Sequence, residues 1–130
     1  MSACVIDTSA ILAYAFAERG AAKVERWIDA GAAVSTLTVQ EAISKFCQSG
    51  MSRSEAEELI LSLGLNAVAL DLELAFAAGA MFAFTKPFGL SHGDRACLAL
   101  GQKLAVPIVT ADKAWTKVAG PLEVKVEQFR

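Results

Sequence analysis

The chain has 130 residues, 55% of them apolar, and a formal charge of −2, a length that supports one hydrophobic core and is short for two domains. The acidic balance argues against binding nucleic acid through bulk positive charge; Cys4, Cys47 and Cys97, odd in number and scattered through apolar segments, predict buried free thiols and argue against a disulfide framework or zinc site. The longest uncharged helical stretch, Leu74 to Thr85, is well below the roughly 20 residues that cross a bilayer, and no leader-like segment precedes Asp7, so a cytoplasmic protein is expected.

Ala3 to Ile6 reads as a short strand that meets Asp7-Thr8-Ser9, after which Ile11, Leu12, Ala15 and Phe16 recur at helical spacing. Ala22 to Ala30 resumes as an amphipathic helix closed by Gly31, and Ala33 to Leu37 is a second strand. Thr38-x-x-Glu41 and Ser52-x-x-Glu55 both carry the capping-box pattern and open the next two helices. Ala67 to Leu70 is a third strand, and Asp71 is placed to cap an apolar helix over Leu72 to Phe84. Lys86-Pro87-Phe88-Gly89 breaks the pattern. Ser91-x-x-Asp94 then starts a helix carrying Ala96, Cys97, Leu100 and Leu104 on one stripe, and Val106 to Val109 is a fourth strand. Thr110-Ala111-Asp112 leads into a helical turn with Trp115 and Val118, and Val124, Val126 and Phe129 mark a last strand at the sheet edge.

Strands alternating with helices predict α/β architecture with a mainly parallel sheet, in one domain over residues 1–130. Ligand crevices in such folds lie at the carboxyl ends of the strands. Asp7 follows the first strand, Glu41 the second and Asp112 the fourth, while Asp94 joins from the first turn of a helix. Four converging carboxylates suit a hard cation such as Mg²⁺ or Mn²⁺, which takes oxygen ligands and keeps several waters. Such an ion activates water for in-line attack, so the implied chemistry is phosphodiester hydrolysis.

Three of the acids also have an ordinary occupation. Glu41 pairs with Thr38 and Asp94 with Ser91 in capping boxes, and Asp112 is a candidate N-cap, each contributing about 0.5–2 kcal/mol. Asp7 lacks such an alternative, because an acid directly after an apolar strand is a poor surface residue.

The segment Gly89-Leu90-Ser91-His92-Gly93-Asp94-Arg95-Ala96-Cys97-Leu98-Ala99-Leu100 closely resembles PIN-domain proteins of the VapC toxin type. So do Val5-Ile6-Asp7-Thr8-Ser9-Ala10 and Thr110-Ala111-Asp112-Lys113-Ala114-Trp115, in the family's order and over nearly the whole chain. The resemblance implies a PIN domain, an α/β/α sandwich with a mainly parallel sheet, acting as a metal-dependent endoribonuclease. It implies an acidic active-site set of Asp7, Glu41, Asp94 and Asp112, with Asp7 and Asp94 as Mg²⁺ ligands and Mn²⁺ as a substitute. It further implies an RNA substrate, a homodimer, and silencing by a cognate VapB-type antitoxin in a type II toxin–antitoxin system, while the lack of a long apolar span predicts no membrane association. The apolar excess, with a mean hydropathy of +0.44, suits both protein contacts.

Thr8, Ser9 and Ser91 are candidates to hydrogen-bond a metal ligand or a phosphate, and Arg95, Lys45, Lys86 and Lys113 to meet RNA phosphates. His92 is the only histidine and stands where relatives often carry an apolar or small residue, so it reads as a local variation. A phospho-acceptor receiver is the main rival from another class, but its Thr or Ser precedes Lys-Pro, whereas here Lys86-Pro87 precedes Thr110. A haloacid-dehalogenase-like phosphatase wants a second aspartate where Ser9 stands. A PIN nuclease of RNA processing, or a binding module without catalysis, is the other alternative.

Overall fold

A computed structural model describes residues 1–130. Strands β1 (Cys4–Ile6), β2 (Ala32–Ser35), β3 (Asn66–Val68), β4 (Ile108–Thr110) and β5 (Val126–Gln128) form one sheet in the order β3-β2-β1-β4-β5, and every neighbouring pair is parallel. The helices are α1 (Thr8–Ala15), α2 (Ala21–Gly31), α3 (Thr36–Gln48), α4 (Arg53–Ser62), α5 (Leu72–Ala80), α6 (Phe82–Thr85), α7 (His92–Leu104) and α8 (Thr116–Ala119), with 3₁₀ turns at Lys86–Phe88 and Lys113–Trp115. The expected α/β/α sandwich is present, with the last strand at an edge.

Successive side chains of a strand point to opposite faces, and here that alternation builds two cores. Cys4, Ile6, Val34 and Val109 pack with Ile11, Val24 and Phe46 from the helices of one face. Val5, Ala33 and Ile108 pack with Leu74, Leu98, Leu100, Trp115 and Val118 on the other. Since β1 is central and short, the chain leaves it at Asp7 with a helix starting at once, and Asp7, the one acid for which the sequence offered no ordinary occupation, is itself the N-cap of α1, accepting from Ala10 N at 2.9 Å.

Several boundaries differ from the sequence reading for identifiable reasons. The second strand ends at Ser35, two residues before Leu37, because the Ser35 hydroxyl accepts from Leu37 N and caps α3. Thr38 is therefore inside the helix, fully buried and hydrogen-bonded to Cys97 Sγ at 3.1 Å. The Thr38–Glu41 capping box does not form. The boxes of Ser52 with Glu55 and Ser91 with Asp94 both do. The helix expected over Leu72 to Phe84 turns at Met81 and continues as α6 and a 3₁₀ turn that takes in Pro87. β4 starts at Ile108, since Val106 N is used up in closing α7 on Gly101 O. All cysteines are free as expected, but only Cys4 and Cys97 are buried, and Cys47 is exposed.

Helix α7 is buried from Gly93 through Gly101 apart from Asp94, which is half-buried. Gly101 is what allows it to lie on β4, for a Cβ there would sit 2.6 Å from Ile108 Cδ1, whereas a Cβ on Gly79 of α5 would meet nothing within 4 Å. Alanine normally stabilises a helix interior by about 1 kcal/mol over glycine. Chemical denaturation is expected to show that gain for Gly79→Ala and a loss of about 1–3 kcal/mol for Gly101→Ala through overpacking; equal shifts in the two variants would contradict this packing.

Candidate active site

Asp7 stands at the carboxyl end of the central strand and is only 5% exposed. Its Oδ1 accepts from Ser9 Oγ at 2.7 Å and from Ala10 N, and its Oδ2 accepts from Thr110 Oγ1 at 2.6 Å. The two hydroxyls are themselves fixed from the next strand over. Thr110 Oγ1 accepts from Asp112 N at 3.0 Å, and Ser9 Oγ accepts from Ala111 N at 3.0 Å. One carboxylate thus ties the end of β1 to the turn after β4 and sets where Asp112 sits.

The other acids approach from helix starts. Asp94, in the first turn of α7, accepts from Ser91 N at 2.9 Å while its own N–H donates to Ser91 Oγ. Asp112 accepts from Ala114 N as cap of the following 3₁₀ turn. Glu41 lies beyond the first turn of α3 and caps nothing; its Oε1 accepts from Thr8 Oγ1 at 3.1 Å. Gly93 makes room for it, because a Cβ there would collide with the Glu41 carboxylate, 2.6 Å from Oε2.

The electrostatics show how closely these groups gather. Burial pushes Asp7 up to about 6, against the pull of Thr110, Ser9 and Ala10, and the charge of Asp94 adds to the rise. Asp94 is raised by burial too, with Ser91 opposing and Asp112 adding. The Cys97 thiol, raised chiefly by burial, also senses Asp7, Asp94 and Glu41. The ion pairs of the chain are Arg53–Glu57, Lys125–Glu127 and Arg130–Glu18, so no lysine or arginine is ion-paired with the cluster.

An all-oxygen donor set with uncompensated negative charge matches a hard divalent cation. No three acidic, histidine or cysteine side chains are drawn into a ready-made cage. Among the weaker candidates, Thr8, Ser9 and Ser91 each hydrogen-bond one of the acids. Arg95 is turned inward, 7% exposed, and Lys45 and Lys113 are exposed. The sequence reading missed Thr110 and Gly93. A hydroxyl at a strand end two residues before Asp112, and a glycine in a helix's first turn beside Asp94, are the signals that single them out.

Parallel strands and acids collected at one sheet edge define a class. The chain belongs to the PIN-domain family, whose model matches residues 4–121. No curated protein sequence matches the chain. Its fold is shared with DNA-bound VapBC from Salmonella typhimurium (14% identity, all of both chains covered, TM-score 0.76). VapBC2 from Rickettsia felis, bound to a promoter DNA fragment, is similar at 14% identity, covering 96% of this chain and 97% of that one, with a TM-score of 0.73. A toxin–antitoxin complex from Klebsiella pneumoniae is similar at 20% identity, 98% of each chain and a TM-score of 0.70. These neighbours share the PIN fold of this chain.

The Asp7 environment has a signed consequence for the metal-free protein. Its folded-state value of about 6 exceeds the ordinary 3.8, so the stability linked to its proton is complete below the ordinary value and is lost as pH rises through about 6. At about 1.4 kcal/mol per pKa unit this amounts to about 3 kcal/mol. Thermal unfolding in EDTA is expected to show Tm falling over that interval, with Asp7→Asn removing most of the decline; identical slopes in both proteins would refute the assignment.

Proposed function

We propose that the protein is a Mg²⁺-dependent endoribonuclease and the toxin of a type II toxin–antitoxin system. PIN domains are typically nucleases, and the fold neighbours come from VapBC assemblies. The observation that carries the reading is the gathering of Asp7, Glu41, Asp94 and Asp112 at one sheet edge with no basic side chain ion-paired to them.

Asp7 and Asp94 would hold the cation, with Glu41 and Asp112 completing the pocket directly or through water. The bound cation supplies Lewis acidity and charge neutralisation for attack of water on a phosphodiester. The chain's own residues prepare the place. Thr110 and Ser9 lock the Asp7 carboxylate in one orientation, and Thr8 aims Glu41 across the space that Gly93 leaves open. Ser91 restrains Asp94 through the capping box. Preorganised carboxylates need little rearrangement when substrate and cation arrive.

The antitoxin would be VapB-like, with a homodimer as the assembly. Exposed Leu72, Phe76, Phe82, Phe84 and Phe88 around α5 and α6 supply apolar surface for such contacts. No helix is long and apolar enough to cross a membrane.

Purified protein is expected to cleave RNA with Mg²⁺ or Mn²⁺ and to stop in EDTA. Asp7→Asn and Asp94→Asn are expected to lower the rate by at least about a hundredfold while circular dichroism stays that of the wild type. Cleavage that persists in EDTA and in both variants would reject the mechanism. Expression without a partner should arrest growth, and Asp7→Asn should not; equal toxicity would remove nuclease action as its cause.

A further inference from the structure

Beside the acidic cluster, between α3, α5 and α7, lies a cavity of about 190 Å³. Leu37, Leu70, Ala75 and Ala78 give it apolar walls, and His92 and Arg95 are its polar lining. Its location follows from helix geometry. Leu37 is one turn before Glu41 on α3, and residues four apart share a face; His92 and Arg95 flank Asp94 in the first turn of α7. The hydrogen bond from Leu70 N to Thr36 Oγ1, 3.0 Å long, fixes the wall between β3 and α5.

Arg95 is the unusual member. It is buried, with 7% of its surface exposed, and a guanidinium remains charged at any ordinary pH. Buried charges are normally paired, yet Arg95 takes part in no ion pair of the chain. Its Nε donates to Ser91 O at 3.4 Å and its Nη2 to His92 Nδ1 at 3.0 Å, while the Phe82 ring lies 5.5 Å from the guanidinium carbon. Two hydrogen bonds and a ring face hold the plane still and leave further N–H donors of the five unused.

We propose that this slot takes one unstacked guanine base of the nucleic-acid strand whose phosphate lies at the acidic cluster, with Arg95 reading it. The inference rests on the nuclease reading above and adds a specificity element to it. The volume is below the roughly 300–1,000 Å³ of sites for larger ligands, so it suits one ring system. Apolar walls favour a base over a phosphate group, which needs several donors around it. A fixed guanidinium pairs in bidentate fashion with the two acceptors O6 and N7 that guanine alone presents on one edge. Entry of a base requires a splayed single strand. His92 acts as a positioning residue by accepting from Arg95.

Gly79, which also lines the slot, provides a variant that adds bulk there, because a Cβ at this position meets nothing within 4 Å. Arg95→Lys keeps the charge and removes the planar fork. The test measures kcat/KM with Mg²⁺ on uridine-rich single-stranded oligoribonucleotides that differ by one central base. The wild type is expected to prefer the guanine substrate by about tenfold or more, and Gly79→Leu and Arg95→Lys to bring that ratio near one. A ratio is unaffected by a uniform loss of folded protein. Wild-type cleavage without guanine preference, or a preference that survives in both variants, overturns the slot while the nuclease reading stands. A wild type inert on every oligonucleotide and on total RNA overturns both. Preference retained in variants that no longer bind an antitoxin would overturn it in favour of a protein contact.

Discussion

The structure turns on a carboxylate buried where it is electrostatically unwelcome. Asp7 sits at the end of the central strand, almost without solvent, and three donors satisfy its oxygens without neutralising its charge. Burying an ionised group is costly unless it is paired, and no lysine or arginine of the chain forms an ion pair with Asp7. The same donors that hold Asp7 stitch β1 to the turn after β4. One residue thus joins the two halves of the sheet and holds the most buried charge at its end.

Helix capping and site construction are the same act in this fold. A parallel strand that runs straight into a helix leaves its first amides pointing at the crevice, and an acid there satisfies them while remaining close to the other strands' ends. Asp94 and Asp112 do both at once. Glu41 is the exception. With Ser35 capping α3 it is released from backbone duty, and only Thr8 and the gap at Gly93 determine its direction.

A second asymmetry lies along α7. The turn that carries Asp94 also carries Arg95, so a concentration of negative charge and a buried positive group with no carboxylate partner stand next to each other. The aromatic surface around α5 and α6 borders the same region through Phe82, which joins the cavity to the apolar face of the molecule.

Much of the fold was legible in the sequence, because periodicity and punctuation are local. Apolar runs, capping boxes at Ser52 and Ser91 and glycines at helix ends placed every strand and nearly every helix within a few residues. The misplaced elements had competing local solutions: Ser35 and Thr38 both offered a cap for α3, and burial of Thr38 against Cys97 decided between them. The acids were legible as strand-end and helix-start residues, and their resemblance to PIN domains tied them into one set. What only the tertiary structure decided was the company they keep. Thr110 bonding Asp7 across 103 positions of sequence, Gly93 yielding to Glu41, and Arg95 turned inward beside a cavity are relations between distant segments, fixed by sheet order and helix packing that no local pattern encodes.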